Sequence, residues 1–185
     1  DFPIFIKINS YDFQENGMRE PEAVKIAKLL EKAGCAGIEV SCGVGRDGFS
    51  TVRMPEPPLD ALQELTPLRE KPAMRKYIIS IVARYRITSY TPLHNYNVCA
   101  ASEIKKNVNI PVIVVGGIRS LQDMKTIVGN NLADFVSMGR PFIIEPGIAN
   151  SLKNKSQTES GCIDCGFCLL SASINDVKCY YGEVS

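Results

Sequence analysis

The chain has 185 residues, with 21 Lys plus Arg against 20 Asp plus Glu and a formal net charge of +1. With 45% hydrophobic and 22% charged residues it has ordinary globular composition, enough for one well-buried core and at most one domain with an appendage. Near-neutral charge removes the electrostatic footprint of a nucleic-acid binder, and the longest apolar run (77–83) is broken by Ser80 and too short to span a bilayer. Neither nucleic acid nor membrane is therefore expected as a partner. The opening residues carry no start methionine, basic n-region or small-residue cleavage site, so they do not read as a signal peptide. The expectation is a cytoplasmic chain that begins inside a structure.

The first 150 residues alternate strand-like and helix-like patterns. Pro3 to Ile8 is a short apolar run of the kind a buried parallel strand needs. Pro21 stands at a helix start, where its missing N–H costs nothing. Apolar residues at 23, 24, 26, 27, 30 and 33 mark one helical face, and Gly34 is placed to cap it. Gly37 to Val40 is the next strand. A Gly- and Pro-rich stretch from Ser41 to about Pro67 is too long for a simple connection and reads as a lid or functional loop.

Residues 72–86 and 97–108 read as helices, and Ile110 to Val115 as a buried strand broken by Gly116-Gly117. Ser120-Leu-Gln-Asp123 resembles a capping box, opening a helix that ends at Gly129. Asp134 to Met138 is a fourth strand, closed by Gly139-Arg140-Pro141, and a last helix starts near Pro146. Residues 154–160 read as a linker to a Cys-rich tail, which divides the chain into 1–153 and 154–185. Four βα units with parallel strands limit the fold class to doubly wound α/β or a piece of a (β/α)8 barrel.

Of seven cysteines, four (Cys162, Cys165, Cys168 and Cys179) crowd into the last 24 residues. An odd total with local clustering argues against a disulfide framework and for a metal centre. In C-x2-C-x2-C, two-residue gaps let the backbone wrap with its N–H groups toward the sulfurs, and the more distant Cys179 completes a four-thiolate set. Zinc usually takes separated C-x2-C pairs, so the tight triple favours a [4Fe–4S] cluster, with zinc or unmetallated thiols as the alternatives. The missing Pro after Cys168 departs from the bacterial ferredoxin run.

Gly116-Gly117 and Gly139-Arg140 follow successive strands and give two turns whose backbone can approach a ligand, with one fixed cation. In barrels the loops after strands 7 and 8 frequently form a phosphate site, and Arg140 supplies a planar bidentate partner. The alternative reading is that the glycines only permit turns and Arg140 forms a surface ion pair.

Taken together, residues 110–119, residues 133–143 and Cys162-x2-Cys-x2-Cys resemble the C-terminal half of the old yellow enzyme family of NADH:flavin oxidoreductases. The likeness is greatest to its iron–sulfur branch, which includes 2,4-dienoyl-CoA reductase and trimethylamine dehydrogenase. Phe5 to Ser10 and Gly37 to Ser41 are similar to that family's fifth and sixth strands, and the likeness is loosest over 43–95. The resemblance implies a C-terminal half of a (β/α)8 barrel. It implies FMN bound by Lys7 at its pyrimidine edge and by Gly116, Gly117, Gly139 and Arg140 at its phosphate. It also implies a [4Fe–4S] cluster on Cys162, Cys165, Cys168 and Cys179, with NAD(P)H as electron donor and an activated alkene or similar small molecule as acceptor.

The family's proton-donating Tyr lies on strands absent here, so no catalytic residue is assigned. His94, the only histidine, reads as a polar loop residue, and Tyr90 and Tyr96 are unplaced. Cys42 either faces the flavin or is a small buried thiol. A complete barrel needs about 250 residues, so the length implies incompleteness. An open four-stranded sheet leaves two unpaired edges, which predicts a homo-oligomer or a complementary half-barrel. Two rival readings stand beside the enzyme. One is a non-enzymatic split or truncated module binding metal or phosphate. The other is a relative of dihydroorotate dehydrogenase, which shares the turns but leaves the cysteine tail unexplained.

Overall fold

The computed structural model describes residues 2–44, 49–86, 89–172 and 174–183. Four parallel strands, β1 (Phe5–Asn9), β2 (Gly37–Ser41), β3 (Val112–Val115) and β4 (Phe135–Ser137), pair in chain order. The α/β class with parallel βα units is thus as expected, an arrangement consistent with part of a (β/α)8 barrel. Among the described residues no helix is long and apolar enough to cross a membrane.

Strand register explains why the two faces of the sheet differ. Ile6 aligns with Ile38 and Val112, and Ile8 with Val40, Val114 and Val136. These side chains form the main core with Ala23 and Ala27 of α1 (Glu20–Lys32), Ala101 and Ile104 of α4 (Val98–Lys105) and Ile127 of α5 (Leu121–Gly129). Because side chains alternate along a strand, the intervening row Lys7, Glu39, Ile113 and Phe135 lies on the other face. That face is less covered, and Phe5 and Phe135 expose more than half of their surface there.

Local signals account for most of the helices. Glu22 accepts the Arg19 N–H at the start of α1, and Gly34 takes a left-handed φ just beyond its end. Ser120 Oγ accepts the Asp123 N–H at 3.0 Å to open α5. Asp134 ties three elements together: it accepts from Lys105 Nζ at 2.7 Å and from the Val112 N–H at 2.9 Å.

The structure corrects the reading of 41–67 as one long loop. Residues 45–48 lie outside the described residues, but the stretch contains α2 (Leu59–Glu64), followed by a 3-10 turn (Pro67–Glu70) and α3 (Ala73–Arg86). α2 serves as a platform: Ala61 and Leu65 pack with Tyr180, Phe167 and Leu170 of the Cys-rich tail. Two further short helices were not expected, α6 (Arg140–Ile144) and α8 (Phe167–Ser171). α7 (Ile148–Lys153) lies near the helix expected at Pro146. Residues 158–160 run alongside the start of α5, with the Leu121 N–H bonded to Thr158 O and the Ser160 N–H to Arg119 O.

Candidate cofactor-binding site

At the C-terminal ends of the four strands lies a cavity of about 330 Å³. Its wall includes Lys7, Ser41, Val115, Ser137, both glycine turns (Gly116-Gly117 and Gly139-Arg140) and Arg119. This is the end of a parallel sheet at which ligands bind in α/β folds, and the volume suits a cofactor. All five residues singled out for cofactor contact therefore border one space.

The glycines of the first turn have a packing reason as well. Gly116 has φ +142° and Gly117 φ +68°. A Cβ on Gly116 would sit 2.7 Å from the Tyr96 ring, and one on Gly117 2.7 Å from His94 Cα and inside contact range of Leu93 O. The turn is pressed against the 93–97 loop, where buried Asn97 also donates to Val115 O at 2.6 Å. Gly139 differs: a Cβ there would meet nothing within 4 Å, and its φ is −107°.

Lys7 sits in the middle of β1, and its ammonium pairs with Glu39 at 2.9 Å, which offsets part of its charge at the cavity. Tyr96, on the wall, donates to Thr51 O at 2.8 Å. Burial pushes its phenol above the ordinary value, so it stays protonated. Cys42 is buried and does not border the cavity. Burial raises its thiol pKa against the opposing pull of Arg53.

Arg119 is the residue that sequence reasoning missed. It follows Gly116-Gly117-Ile118, lies 4% exposed in the cavity wall, and its Nε–H has no hydrogen-bond partner among the described residues. A buried donor left unpaired is costly, and an anionic ligand in the cavity would relieve it. The run Gly-Gly-Ile-Arg was the available signal.

The four tail cysteines, Cys162, Cys165, Cys168 and Cys179, border a second, smaller cavity beside the first, and Arg140, Ile143 and Cys168 border both. Among the described residues no three His, Cys, Asp or Glu side chains are drawn together as around a single ion. A four-iron cluster asks for something different, four thiolates around a group larger than one ion, and the donor set suits that chemistry. Burial raises the thiol pKa values of Cys165 and Cys168, neighbouring cysteines add to this, and Arg140 opposes it. Metal ligation would deprotonate them.

Between the first two cysteines stands Asp164, 2% exposed with a left-handed φ of +63°. Its Oδ1 is an ion-pair partner of both Arg119 and Arg140, the latter at 2.5 Å, and its Oδ2 lies 3.2 Å from His94 Nε2. Arg140 also donates to Arg53 O at 2.9 Å. His94, read from sequence as a polar loop residue, thus meets a carboxylate 70 positions away.

The model of the NADH:flavin oxidoreductase / NADH oxidase family matches residues 61–159. The NADH oxidase of Thermoanaerobacter brockii is 32% identical over 166 residues, which is 89% of this chain and 20% of that protein. Among solved structures, a 2-naphthoyl-CoA reductase in complex with 2-naphthoyl-CoA superposes with a TM-score of 0.59 at 18% identity, over 88% of this chain and 21% of that one. An old yellow enzyme homologue from Zymomonas mobilis gives a TM-score of 0.47 at 15% identity, covering 87% of this chain and 34% of that one. The chain spans about a fifth of the length of the NADH oxidase and of the reductase.

Proposed function

The chain belongs to the NADH:flavin oxidoreductase / NADH oxidase family, and on that premise we propose that it carries the flavin-phosphate and iron–sulfur portion of an FMN-dependent oxidoreductase. Electrons would enter from NAD(P)H and leave to an activated alkene or a similar small acceptor. The observation that supports this reading best is the strand-end cavity, bordered by both glycine turns, by Arg140 and by Arg119 with its unpaired Nε–H. Bound there, FMN would supply hydride acceptance and single-electron release.

In this reading the chain's own residues bind and orient. Gly139 leaves backbone open to a phosphate, while Arg140 and Arg119 offer it planar cations. Lys7, at the opposite side of the wall, would favour negative charge on the isoalloxazine's pyrimidine edge, moderated by Glu39. Cys162, Cys165, Cys168 and Cys179 would hold a [4Fe–4S] cluster against the same wall, since Cys168 borders both cavities. No proton donor is assigned.

A second reading, a module that assembles with a complementary half, is favoured by a separate observation. β1 and β4 are edge strands, the sheet face bearing Phe5 and Phe135 is open, and α3 exposes Met74, Tyr77, Ile78, Ile81 and Val82 along one stripe. Parallel sheets are ordinarily covered on both faces. We therefore propose as well that a copy of this chain or a matching half-barrel covers the open sheet face.

The test is anaerobic purification followed by absorption spectroscopy, iron analysis and FMN titration by fluorescence quenching. Flavin quenching together with a bleachable brown shoulder is expected, and Arg140→Gln should weaken FMN binding about tenfold. A colourless chain that takes zinc and leaves FMN fluorescence unchanged would overturn the enzyme reading for this chain.

A further inference from the structure

Asp164 is the most deeply buried charged side chain of the cysteine segment, and the family reading gives it no task. An ionised carboxylate removed from water is costly unless it is paired. Here the pairing is threefold: Arg119 beyond β3, Arg140 at the end of β4, and His94 in the loop against which Gly117 packs. Those partners come from three chain segments that converge only at the strand ends. Asp164 itself lies in the two-residue gap between Cys162 and Cys165, with a left-handed backbone that Asp adopts more readily than most residues, and its side chain is buried. Arg119 also reaches Cys162, with Nη2 3.4 Å from its sulfur.

Charge explains why this arrangement holds together. Arg119 and Arg140 would repel each other across one carboxylate-sized gap, and Asp164 Oδ1 fills it. One carboxylate against two guanidinium groups still leaves a net positive charge at the cavity wall for an anion. Asp164 does not border the large cavity, whereas Arg119 and Arg140 do. The carboxylate and a bound phosphate would therefore act on different sides of the same guanidinium groups rather than compete for one place.

From this geometry we infer that Asp164 is a positioning residue that anchors the cysteine loop to the two strand-end arginines and so couples occupancy of the phosphate site to the order of the cysteine loop. The coupling half of the inference rests on the phosphate-site reading above; the anchoring half does not. Thermodynamic linkage makes the effect reciprocal: whatever orders the arginines orders the loop, and the converse.

Amide hydrogen exchange on the full chain separates the two halves. Without ligand, Asp164→Asn and Arg140→Gln should each accelerate exchange in residues 163–170 about tenfold, with β2 and β3 unchanged as a control for folding. The double variant should be no faster than Asp164→Asn, because that substitution already removes the Arg140 ion pair together with those to Arg119 and His94. Exchange in Asp164→Asn equal to that of the unmodified chain overturns the proposal whatever FMN does, as does an additive double variant. Should Asp164→Asn disturb the control strands, Arg140→Gln and Asp164→Glu carry the same unliganded comparison. With FMN at saturation, checked by fluorescence, exchange in 163–170 should slow at least fivefold in the unmodified chain and not in Asp164→Asn. Protection of 116–119 and 139–140 by FMN with no change in 163–170 overturns the coupling. Complete absence of FMN binding instead defeats the phosphate-site reading, and the unliganded comparison then decides the anchor alone.

Discussion

The glycines at the two strand ends separate a packing requirement from a binding requirement, and a pair of alanine substitutions reads the difference. At Gly117 the backbone is left-handed, with φ +68°, and a Cβ would fall 2.7 Å from His94 Cα and closer still to Leu93 O. The left-handed conformation alone costs a non-glycine residue about 1–2 kcal/mol. The clash is with backbone, so the 93–97 loop must shift and weaken the Asn97–Val115 bond, worth about 1 kcal/mol more. Gly117→Ala should thus lose about 2–3 kcal/mol in urea unfolding. At Gly139, φ is −107° and nothing lies within 4 Å of a built Cβ, so Gly139→Ala should stay within about 0.5 kcal/mol of the unmodified chain. Its new methyl group would nonetheless stand at the turn where a phosphate is proposed to approach, and FMN titration should show at least tenfold weaker binding. Unchanged FMN binding by Gly139→Ala would refute the placement of the phosphate. Unchanged stability of Gly117→Ala would refute the packing argument.

Three further outcomes are expected. Asp134 is subject to burial, which raises its pKa, but hydrogen bonds from Lys105 and the Val112 N–H outweigh this and hold it below the ordinary 3.8. Its contribution is therefore present above that value and is lost as pH falls through the lower folded value. Asp134→Asn should cost about 1 kcal/mol at pH 7 and flatten the acid limb of the stability curve, measured by urea unfolding from pH 2 to 7. Iodoacetamide on the reduced native chain should label exposed Cys99 first, with buried Cys35 and Cys42 last, as followed by peptide mass spectrometry. Asn97→Ala should lower stability by about 1–3 kcal/mol, since it strips Val115 O of a partner at a buried turn.

Much of the sheet was legible because its signals are local. Val112 to Val115 is an unbroken β-branched run, and α1 carries its period, its Pro near the start and its left-handed Gly beyond the end. α6 was hidden because Gly139-Arg140-Pro141 has the composition of a turn; Pro near the first helical position serves a short helix equally well. α2 was hidden by surrounding prolines, and what holds it is burial of Ala61 and Leu65 against Tyr180, more than a hundred positions away. The cysteine set and the glycine turns announce themselves by spacing. The ion-pair cluster does not: His94, Arg119, Arg140 and Asp164 follow no pattern along the chain, and only the parallel register brings their loops to one end of the sheet. A lone buried carboxylate in a sequence has no mark that distinguishes it from a solvated one.

The open sheet face poses the last question, because a parallel sheet with one bare side has to be covered by something. Phe5 and Phe135 are 56% and 57% exposed on that face, Phe5 in register with Gly37 and Phe135 in the row that also contains Lys7 and Glu39. A phenyl group that still shows about 100 Å² to water gains roughly 2.5 kcal/mol when covered, at about 25 cal/mol per Å². Two such groups per chain can drive self-association if the face meets a copy of itself, although covering the Lys7–Glu39 pair carries a desolvation cost that offsets part of that gain. Sedimentation of the chain purified alone should therefore show a dimer or larger species at micromolar concentration. Phe135→Ser should weaken that association by at least tenfold, since in a symmetric pair the loss counts on both chains. A soluble monomer at micromolar concentration, indifferent to Phe135→Ser, would show that the bare face does not drive self-association in this chain.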